Sequence, residues 1–354
     1  MKKRFMILCI ITLGFVLLVA CSNEEGSTTT DTTTATETQE TESETHETVA
    51  VEPIEINIGM MQGPTAMGMI GLMDDADQGR IGDDTYNFTL AGSPDEIIPQ
   101  IVQGNLDIAA LPSNLASILY HNTDGEIQVI AINTLGVLHL VEAGETVTNV
   151  TDLGGKTIYA SGHSSTPEFI LNFILESHGL DPQTDVNIEW FAEHTEVVAR
   201  LGMNEDAVAM LPQPFVTVAQ NQNENLRIAL DLTEAWDTVQ ASNDGPTSAL
   251  IMGVLVARKA FIEENPEAIA TFLERYAESV NFVNNNIEAA ADLLESYDIF
   301  PAPIARRAIP YSNVVFITGD TMKELFSGYL QVLFEANPAS IGGEMPSEEF
   351  YYIQ

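Results

Sequence analysis

Alternation of apolar and polar residues begins at position 53 and predicts strands separated by helices. Ile54, Ile56 and Ile58 alternate with polar neighbours, which is typical of a half-buried strand. After Gly63-Pro64-Thr65 an apolar helical stretch follows, and strands and helices then take turns along the chain. Further strands are predicted at 86–90, 107–111, 127–132, 137–141, 157–160, 186–191, 207–211 and 249–257. This βαβα order predicts an α/β fold with mostly parallel sheets.

Two short motifs repeat in the two halves of this pattern. Ile108-Ala109-Ala110-Leu111-Pro112 and Val208-Ala209-Met210-Leu211-Pro212 each follow a helix and a glycine, and each opens a new helix. The pattern also restarts near Leu135-Gly136. We therefore expect two similar lobes facing a cleft, with residues 53–135 in lobe 1, 136–252 in lobe 2, and 253–354 returning to lobe 1 and adding C-terminal helices.

The first 52 residues have a different character. Met1-Lys2-Lys3-Arg4 precedes an apolar run of about 15 residues, which is short for a membrane-spanning helix and fits a signal peptide. The run ends in Leu18-Val19-Ala20-Cys21, which resembles the lipobox of bacterial lipoproteins. We expect a signal peptide over 1–20, a lipid on Cys21, and a Thr/Glu-rich disordered tether over 21–52 that holds the body on the outer face of a membrane, in a Gram-positive cell.

Charge and cysteine content exclude several classes of function. Acidic residues outnumber basic ones by 52 to 13, a net charge of −39, so nothing supplies the basic surface that nucleic acids require. Both cysteines, Cys9 and Cys21, precede the folded body, which therefore has no disulfide and no cysteine-bound metal. We expect neither a cofactor nor a metal.

Polar loops follow the predicted strands, where α/β sheets bind ligands. The candidate ligand-binding residues are Gln62, Gly63, Thr65, Ser93, Ser113, Asn114, Ser161, His163, Ser164, Ser165, Thr166, Glu193, His194 and Gln213. None of these loops contains Lys or Arg, so we expect dipoles, hydroxyls and amides to hold the ligand. Either Ser165 or Thr166 is expected to cap the helix that follows.

Three segments then indicate a family. Leu153 to Ala160, Ala257 to Phe261 and Glu264 to Ala268 resemble ABC-importer substrate-binding proteins of the nitrate/sulfonate/taurine and thiamine-precursor type. The resemblance implies a type II periplasmic-binding-protein fold, a small-molecule ligand between two lobes, and permease subunits as partners. It places the two crossing segments near 133–137 and 250–254.

Two other functions remain open. His163, or His194 with Glu193, could act as an acid/base pair in a surface-anchored enzyme, although no HExxH or GxSxG motif is present. A surface scaffold or adhesin would use the same tether without needing a polar cleft. We expect a non-enzymatic, solute-binding lipoprotein.

Overall fold

The computed structural model describes residues 53–204, 207–242 and 248–353. The predicted signal peptide, Cys21 and the tether lie outside the described residues. Within the described part of the chain, no helix combines the length and the hydropathy that crossing a bilayer requires.

Two β-sheets organise the described residues. The first contains, in spatial order, β11 (Val314–Ile317), β4 (Ile127–Leu135), β10 (Ile251–Arg258), β3 (Ile108–Pro112), β1 (Glu55–Met61) and β2 (Thr85–Ala91). The second contains β7 (Asn187–Phe191), β6 (Thr157–Ser161), β8 (Val208–Pro212), β5 (Leu138–Glu142) and β9 (Arg227–Asp231). We call each sheet with its surrounding helices a lobe, the first and the second.

The strand directions confirm the predicted α/β class. In the first sheet β1, β2, β3 and β4 run in one direction, while β10 and β11 oppose them. In the second sheet β6, β7, β8 and β9 share one direction and β5 opposes them. The carboxyl ends of the parallel strands therefore meet at one edge of each sheet, where ligand sites of α/β proteins form.

Helices cover both sheets. They are α1 (Pro64–Met67), α2 (Ile70–Asp77), α3 (Pro94–Val102), α4 (Ser113–Asn122), α5 (Thr166–Ser177), α6 (His194–Leu201), α7 (Phe215–Gln222), α8 (Leu232–Ala241), α9 (Lys259–Glu264), α10 (Pro266–Asn285), α11 (Ile287–Ser296), α12 (Ala302–Ala308) and α13 (Gly319–Ala336). Four short 3₁₀ turns lie at Val150–Leu153, Ile309–Tyr311, Pro338–Ile341 and Glu348–Phe350. Strand β9, helix α8 and strand β11 were not anticipated from the sequence.

Local sequence explains how the helices of the two lobes begin. Ser93 and Glu96 form a capping box at α3, with Pro94 in the first turn. At α5 the N-cap is Ser165, with Pro167 in the first turn, so Ser165 rather than Thr166 occupies the cap position. Gly104 has φ of +78° directly after α3, a left-handed conformation that favours glycine. The N-termini of α3 and α5 thus lie at the carboxyl ends of β2 and β6.

The repeated motifs occupy equivalent positions. Strand β3 lies between β10 and β1, and strand β8 lies between β5 and β6. In both sheets this central strand is buried, and it is flanked by one parallel and one antiparallel neighbour. The two lobes therefore share a local plan around the central strand.

Candidate functional site

A cavity lies between the carboxyl ends of the two sheets. The space that a water-sized molecule can occupy in it is about 110 Å³. The first lobe contributes the loops after β1, β2 and β3, and the second lobe contributes those after β6, β7 and β8.

Nine of the predicted ligand-binding residues line this cavity. Gln62, Gly63, Thr65 and Ser93 belong to the first lobe, and Ser161, Ser165, Thr166, Glu193 and His194 to the second. Strand ends and helix starts bring these residues together. Apart from these residues and Thr134, the described lining is apolar, with methionine, proline, valine and leucine side chains, and it contains no Lys or Arg.

Several of the lining side chains already form hydrogen bonds within the protein. The Gln62 amide donates to the carbonyl of Ile299 at 3.0 Å. The hydroxyl of Thr65 donates to Met61 O at 3.0 Å, and the hydroxyl of Ser165 donates to Gly162 O at 2.9 Å. These bonds fix the side chains that border the cavity, so a ligand meets a preorganised surface.

His194 and Ser161 form a polar pair in the second lobe. The Ser161 Oγ and His194 Nδ1 lie 2.5 Å apart, and the His194 ring packs against Phe215 with 4.8 Å between ring centroids. Burial lowers the pKa of His194 to about 4, so the imidazole is neutral at neutral pH. Among the described residues no carboxylate bonds to this ring. A neutral, enclosed imidazole offers hydrogen bonds but no positive charge to a ligand.

Glu193 is the one charged side chain in the described lining of the cavity. It is the N-cap residue of α6, where it forms a capping box with Glu196, and its carboxylate accepts from the Thr195 hydroxyl at 3.1 Å. Glu96 approaches from the facing lobe. A Cβ on Gly92 would lie 3.4 Å from an oxygen of each carboxylate, so glycine leaves the space between them open.

Two predicted residues are buried in a network that joins the lobes behind the cavity. The Ser113 hydroxyl donates to Ile251 O at 2.6 Å and lies 3.0 Å from the Thr166 hydroxyl, which donates to Asn114 Oδ1 at 2.9 Å. The Asn114 amide donates to Ser340 O at 2.9 Å. We call Ser113, Asn114, Thr166, Tyr329 and Ser340 the interlobe network. Ser113 and Asn114 are fully buried and lie outside the lining of the cavity.

Three further predicted residues also lie outside the lining. The His163 side chain is 61% exposed and lies near Trp190, with 5.6 Å between ring centroids. Ser164 is exposed and has φ of +60°, and its backbone N–H donates to Glu168. Gln213 is buried and its side-chain oxygen accepts from Thr217 at 2.9 Å. The loop of residues 161–166 therefore presents only part of its length to the cavity.

The structure also brings in residues that sequence reasoning missed. Thr134, Val137, Leu138 and Met252 line the cavity from the two segments that join the lobes. Thr134 is 1% exposed, and its hydroxyl has no hydrogen-bond partner among the described residues. Asn133 and Thr134 are polar residues near the end of a largely apolar strand, but this pattern alone does not identify a cavity residue.

Comparison with known proteins identifies a matching family. Residues 80–300 match the model of the periplasmic substrate-binding proteins of phosphonate ABC transporters. No curated protein matches the sequence.

Solved structures share the fold over most of the chain. An ABC transporter protein from Parabacteroides distasonis is 20% identical, covers 84% of this chain and 98% of its own, and superposes with a TM-score of 0.69. The aliphatic sulphonate-binding protein from Escherichia coli gives 16% identity, coverage of 83% and 92%, and a TM-score of 0.65. The nitrate-binding protein from Synechocystis gives 14%, 72% and 69%, and 0.57. The sulphonate- and nitrate-binding neighbours are periplasmic binding proteins, so the expected two-lobed binding-protein fold is confirmed.

Proposed function

We propose that this chain, which belongs to the family of periplasmic substrate-binding proteins of phosphonate ABC transporters, captures a small polar molecule outside the cell and delivers it to an ABC importer. The observation that carries the proposal is the cavity between the two sheets. Both lobes line it with the loops at their strand ends, so a ligand bound there contacts both lobes at once. Capture would then favour the closed arrangement of the lobes.

The two joining segments support closure by a hinge. Leu135, Gly136 and Val137 lead from β4 directly into β5, and Leu250 leads into β10. Thr134, Val137 and Met252, at these segments, also border the cavity. A ligand at the cavity wall therefore contacts the residues whose backbone would absorb the motion.

Anchoring through Cys21 is part of the proposal. A lipid on this residue, followed by a tether up to residue 52, would keep the binding body near permease subunits on the outer face of a Gram-positive membrane. We expect Cys21→Ser to release the protein into the medium, as measured by fractionation of cells, and a wild-type protein without lipid by mass spectrometry would contradict the anchor.

The ligand classes open at this stage follow from the resemblance in the sequence: a nitrate-, sulfonate- or taurine-like anion, or a pyrimidine precursor of thiamine. Members of the family bind substrates rather than transform them, so the proposal contains no catalytic step.

Closure of the two lobes can be tested on the part of the chain that follows the tether, from residue 53 onwards. A thermal-shift screen of nitrate, taurine, alkanesulfonates, alkylphosphonates and small amines should find a compound that raises the Tm, because a ligand at 100 times its Kd adds about 2.7 kcal/mol of stability. Small-angle scattering at saturation should then show a smaller radius of gyration. Binding without any change in radius would contradict hinge closure, and no binding would contradict a solute-binding role.

A further inference from the structure

We infer that Thr166 is a positioning residue for the cavity: its hydroxyl holds the two lobes in the arrangement that completes the cavity, and it acts through the lobes rather than by a bond of its own to the ligand. The inference deepens the proposed function and rests on it, because it names a residue that controls closure at the same site. Three observations carry it: the hydrogen bonds between the lobes meet at this hydroxyl, their partners adjoin the cavity lining, and the other contacts between the lobes are not directional.

Hydrogen-bonding contacts between helices of the two lobes meet at Thr166 Oγ1 in the described part of the chain. Thr166 begins α5 in the second lobe, and Ser113 and Asn114 begin α4 in the first. The Thr166 hydroxyl donates to Asn114 Oδ1 at 2.9 Å, accepts from the Asn114 backbone N–H at 3.3 Å and lies 3.0 Å from Ser113 Oγ. All three side chains are fully buried. Because hydrogen bonds are directional, this group fixes the position of one lobe against the other.

The first lobe holds its half of this contact in place. The Ser113 hydroxyl donates to Ile251 O at 2.6 Å, and the Asn114 amide donates to Ser340 O at 2.9 Å. Both residues are therefore fixed within the first lobe by bonds that do not involve the second. They present a preorganised acceptor and donor to Thr166, so the contact forms in one relative position of the lobes.

The residues of this contact adjoin residues that line the cavity. The pairs of sequence neighbours, each with its lining residue first, are Pro112 and Ser113, Ser165 and Thr166, and Met252 and Ile251. A displacement that broke the Thr166 bonds would therefore move the walls of the cavity as well. Thr166 itself borders the cavity, but its one hydroxyl proton goes to Asn114, so the hydroxyl has no proton to donate to a ligand.

Other described contacts between the lobes are apolar. Phe215 of the second lobe packs against Phe300 of the first, and Trp236 of α8 packs against Tyr329 of α13, each with 5.5 Å between ring centroids. No ion pair joins the two lobes within the described ranges. Apolar contact is non-directional, so it allows small displacements that the bonds of Thr166 oppose.

The Thr166 bonds are made in an arrangement that is closed at the cavity mouth. A Cβ on Gly92, in the first lobe, would lie 3.4 Å from an oxygen of Glu193 in the second. Losing the Thr166 bonds should therefore shift the equilibrium towards open lobes. The apparent Kd of a ligand that needs the closed form rises as the closed fraction falls, so affinity should fall with it.

Distances between the lobes test the inference without any ligand. The chain from residue 53 onwards contains no cysteine, so spin labels can be attached at the exposed positions Val102→Cys in the first lobe and Ala199→Cys in the second. Electron paramagnetic resonance then gives the distribution of distances between them. Thr166→Val should lower the ratio of the short-distance to the long-distance population at least threefold. Thr166→Ser keeps the hydroxyl and should restore the wild-type distribution.

Ser279→Ala is the matched control for the loss of a buried hydroxyl. The Ser279 hydroxyl donates to Gly68 O at 2.6 Å and accepts from the Leu72 N–H at 3.1 Å, all within the first lobe. This variant should lose stability, as Thr166→Val should, and leave the distances unchanged. Identical distributions in Thr166→Val and wild type overturn the inference. An equal shift in Ser279→Ala also overturns it, because a general loosening would then explain the result.

Calorimetry with methylphosphonate, ethanesulfonate and nitrate extends the test to binding. For a probe that binds wild type, Thr166→Val and Ser113→Ala should each weaken affinity at least threefold, and the double variant should be little worse because both remove the same contact. Thr166→Ser and Ser279→Ala should stay within twofold. A loss in Thr166→Val with wild-type affinity in Ser113→Ala overturns the inference, since the Thr166 hydroxyl would then contact the ligand. If neither these probes nor the wider screen gives binding, the proposed function fails, while a shift of the distances in Thr166→Val still supports the positioning role.

Discussion

Two polar regions lie at the junction of the lobes, and they differ in whether their hydrogen bonds are made. In the interlobe network the hydroxyls of Ser113 and Thr166 and the amide of Asn114 bond to one another and to backbone carbonyls. At the end of β4 the hydroxyl of Thr134, which borders the cavity, and the amide of Asn133 behind it have no partner among the described residues. All five of these side chains are buried.

The difference teaches how burial should be interpreted at such a junction. A buried polar group with its partners in place joins the lobes and contributes to stability, because breaking it leaves other atoms unpaired. A buried polar group without a partner costs stability, so replacing it by an apolar group of the same shape removes that cost. Stability should therefore respond in opposite directions to substitutions in the two regions.

The largest expected effect comes from breaking the interlobe network. Asn114→Ala removes the side-chain donor to Ser340 O and the amide acceptor of the Thr166 hydroxyl, so we expect the free energy of unfolding to fall by about 2–4 kcal/mol. Urea denaturation followed by circular dichroism measures this change. Ser164→Ala, at an exposed loop position, is the control and should stay within about 0.5 kcal/mol of wild type. Equal effects of the two substitutions would show that the network does not hold the lobes.

An intermediate effect is expected from His194, which borders the cavity and whose ring packs against Phe215. Its pKa in the folded protein is lowered to about 4, whereas an unfolded histidine titrates near its ordinary pKa of about 6.5. The unfolded chain thus binds the extra proton between these values, and wild type should lose up to about 1.4 kcal/mol per pH unit as pH falls from 6.5 to 4.

The His194→Gln variant lacks this titration. The difference in the free energy of unfolding between wild type and His194→Gln should therefore change with this slope as the pH falls from 6.5 to 4. The exposed His163 provides the control, since His163→Gln should keep the wild-type slope. A difference between wild type and His194→Gln that does not change from pH 7 to pH 4 would mean that the His194 ring is solvated in the folded protein.

The smallest effect on stability should come from the cavity wall itself. Thr134→Val removes a hydroxyl that bonds to no described residue, so the free energy of unfolding should change by less than about 0.5 kcal/mol or increase. Thr166→Val changes the same residue type within the network and should lose about 1–3 kcal/mol. Urea denaturation of both variants compares them directly. If Thr134→Val proves as destabilising as Thr166→Val, the Thr134 hydroxyl has a partner in the folded protein.

Sequence reasoning predicted the fold and the loops of the cavity well. Period-2 alternation located strands such as β1 and β2, because this signal is local. Strand β11 was missed because Val314 to Ile317 is a short apolar run, which periodicity cannot assign. Its pairing with β4 depends on a distant part of the chain.

The finer division of the site could not be predicted, for a physical reason. Ser113 and Asn114 directly follow β3, and Ser161 is the last residue of β6. Strand order alone therefore makes all three equally good candidates for ligand binding. What separates them is the packing of Tyr329 and Ser340, from α13 and the turn after it, behind the first lobe. Thr134 was overlooked because a polar residue near the end of an apolar strand signals nothing until its neighbours are known.

The position of β10 has a consequence for how the protein is made. This strand lies between β3 and β4, and Val254 pairs with Leu111 and with Ile132, so the first sheet contains a gap until the chain has been synthesised beyond residue 258. All strands of the second sheet precede β10 along the chain and need no later strand to complete their pairing. Domains commonly fold in the order of synthesis, N-terminal first. In this protein we expect the reverse order: the second sheet, from the middle of the chain, should form before β10 completes the first sheet.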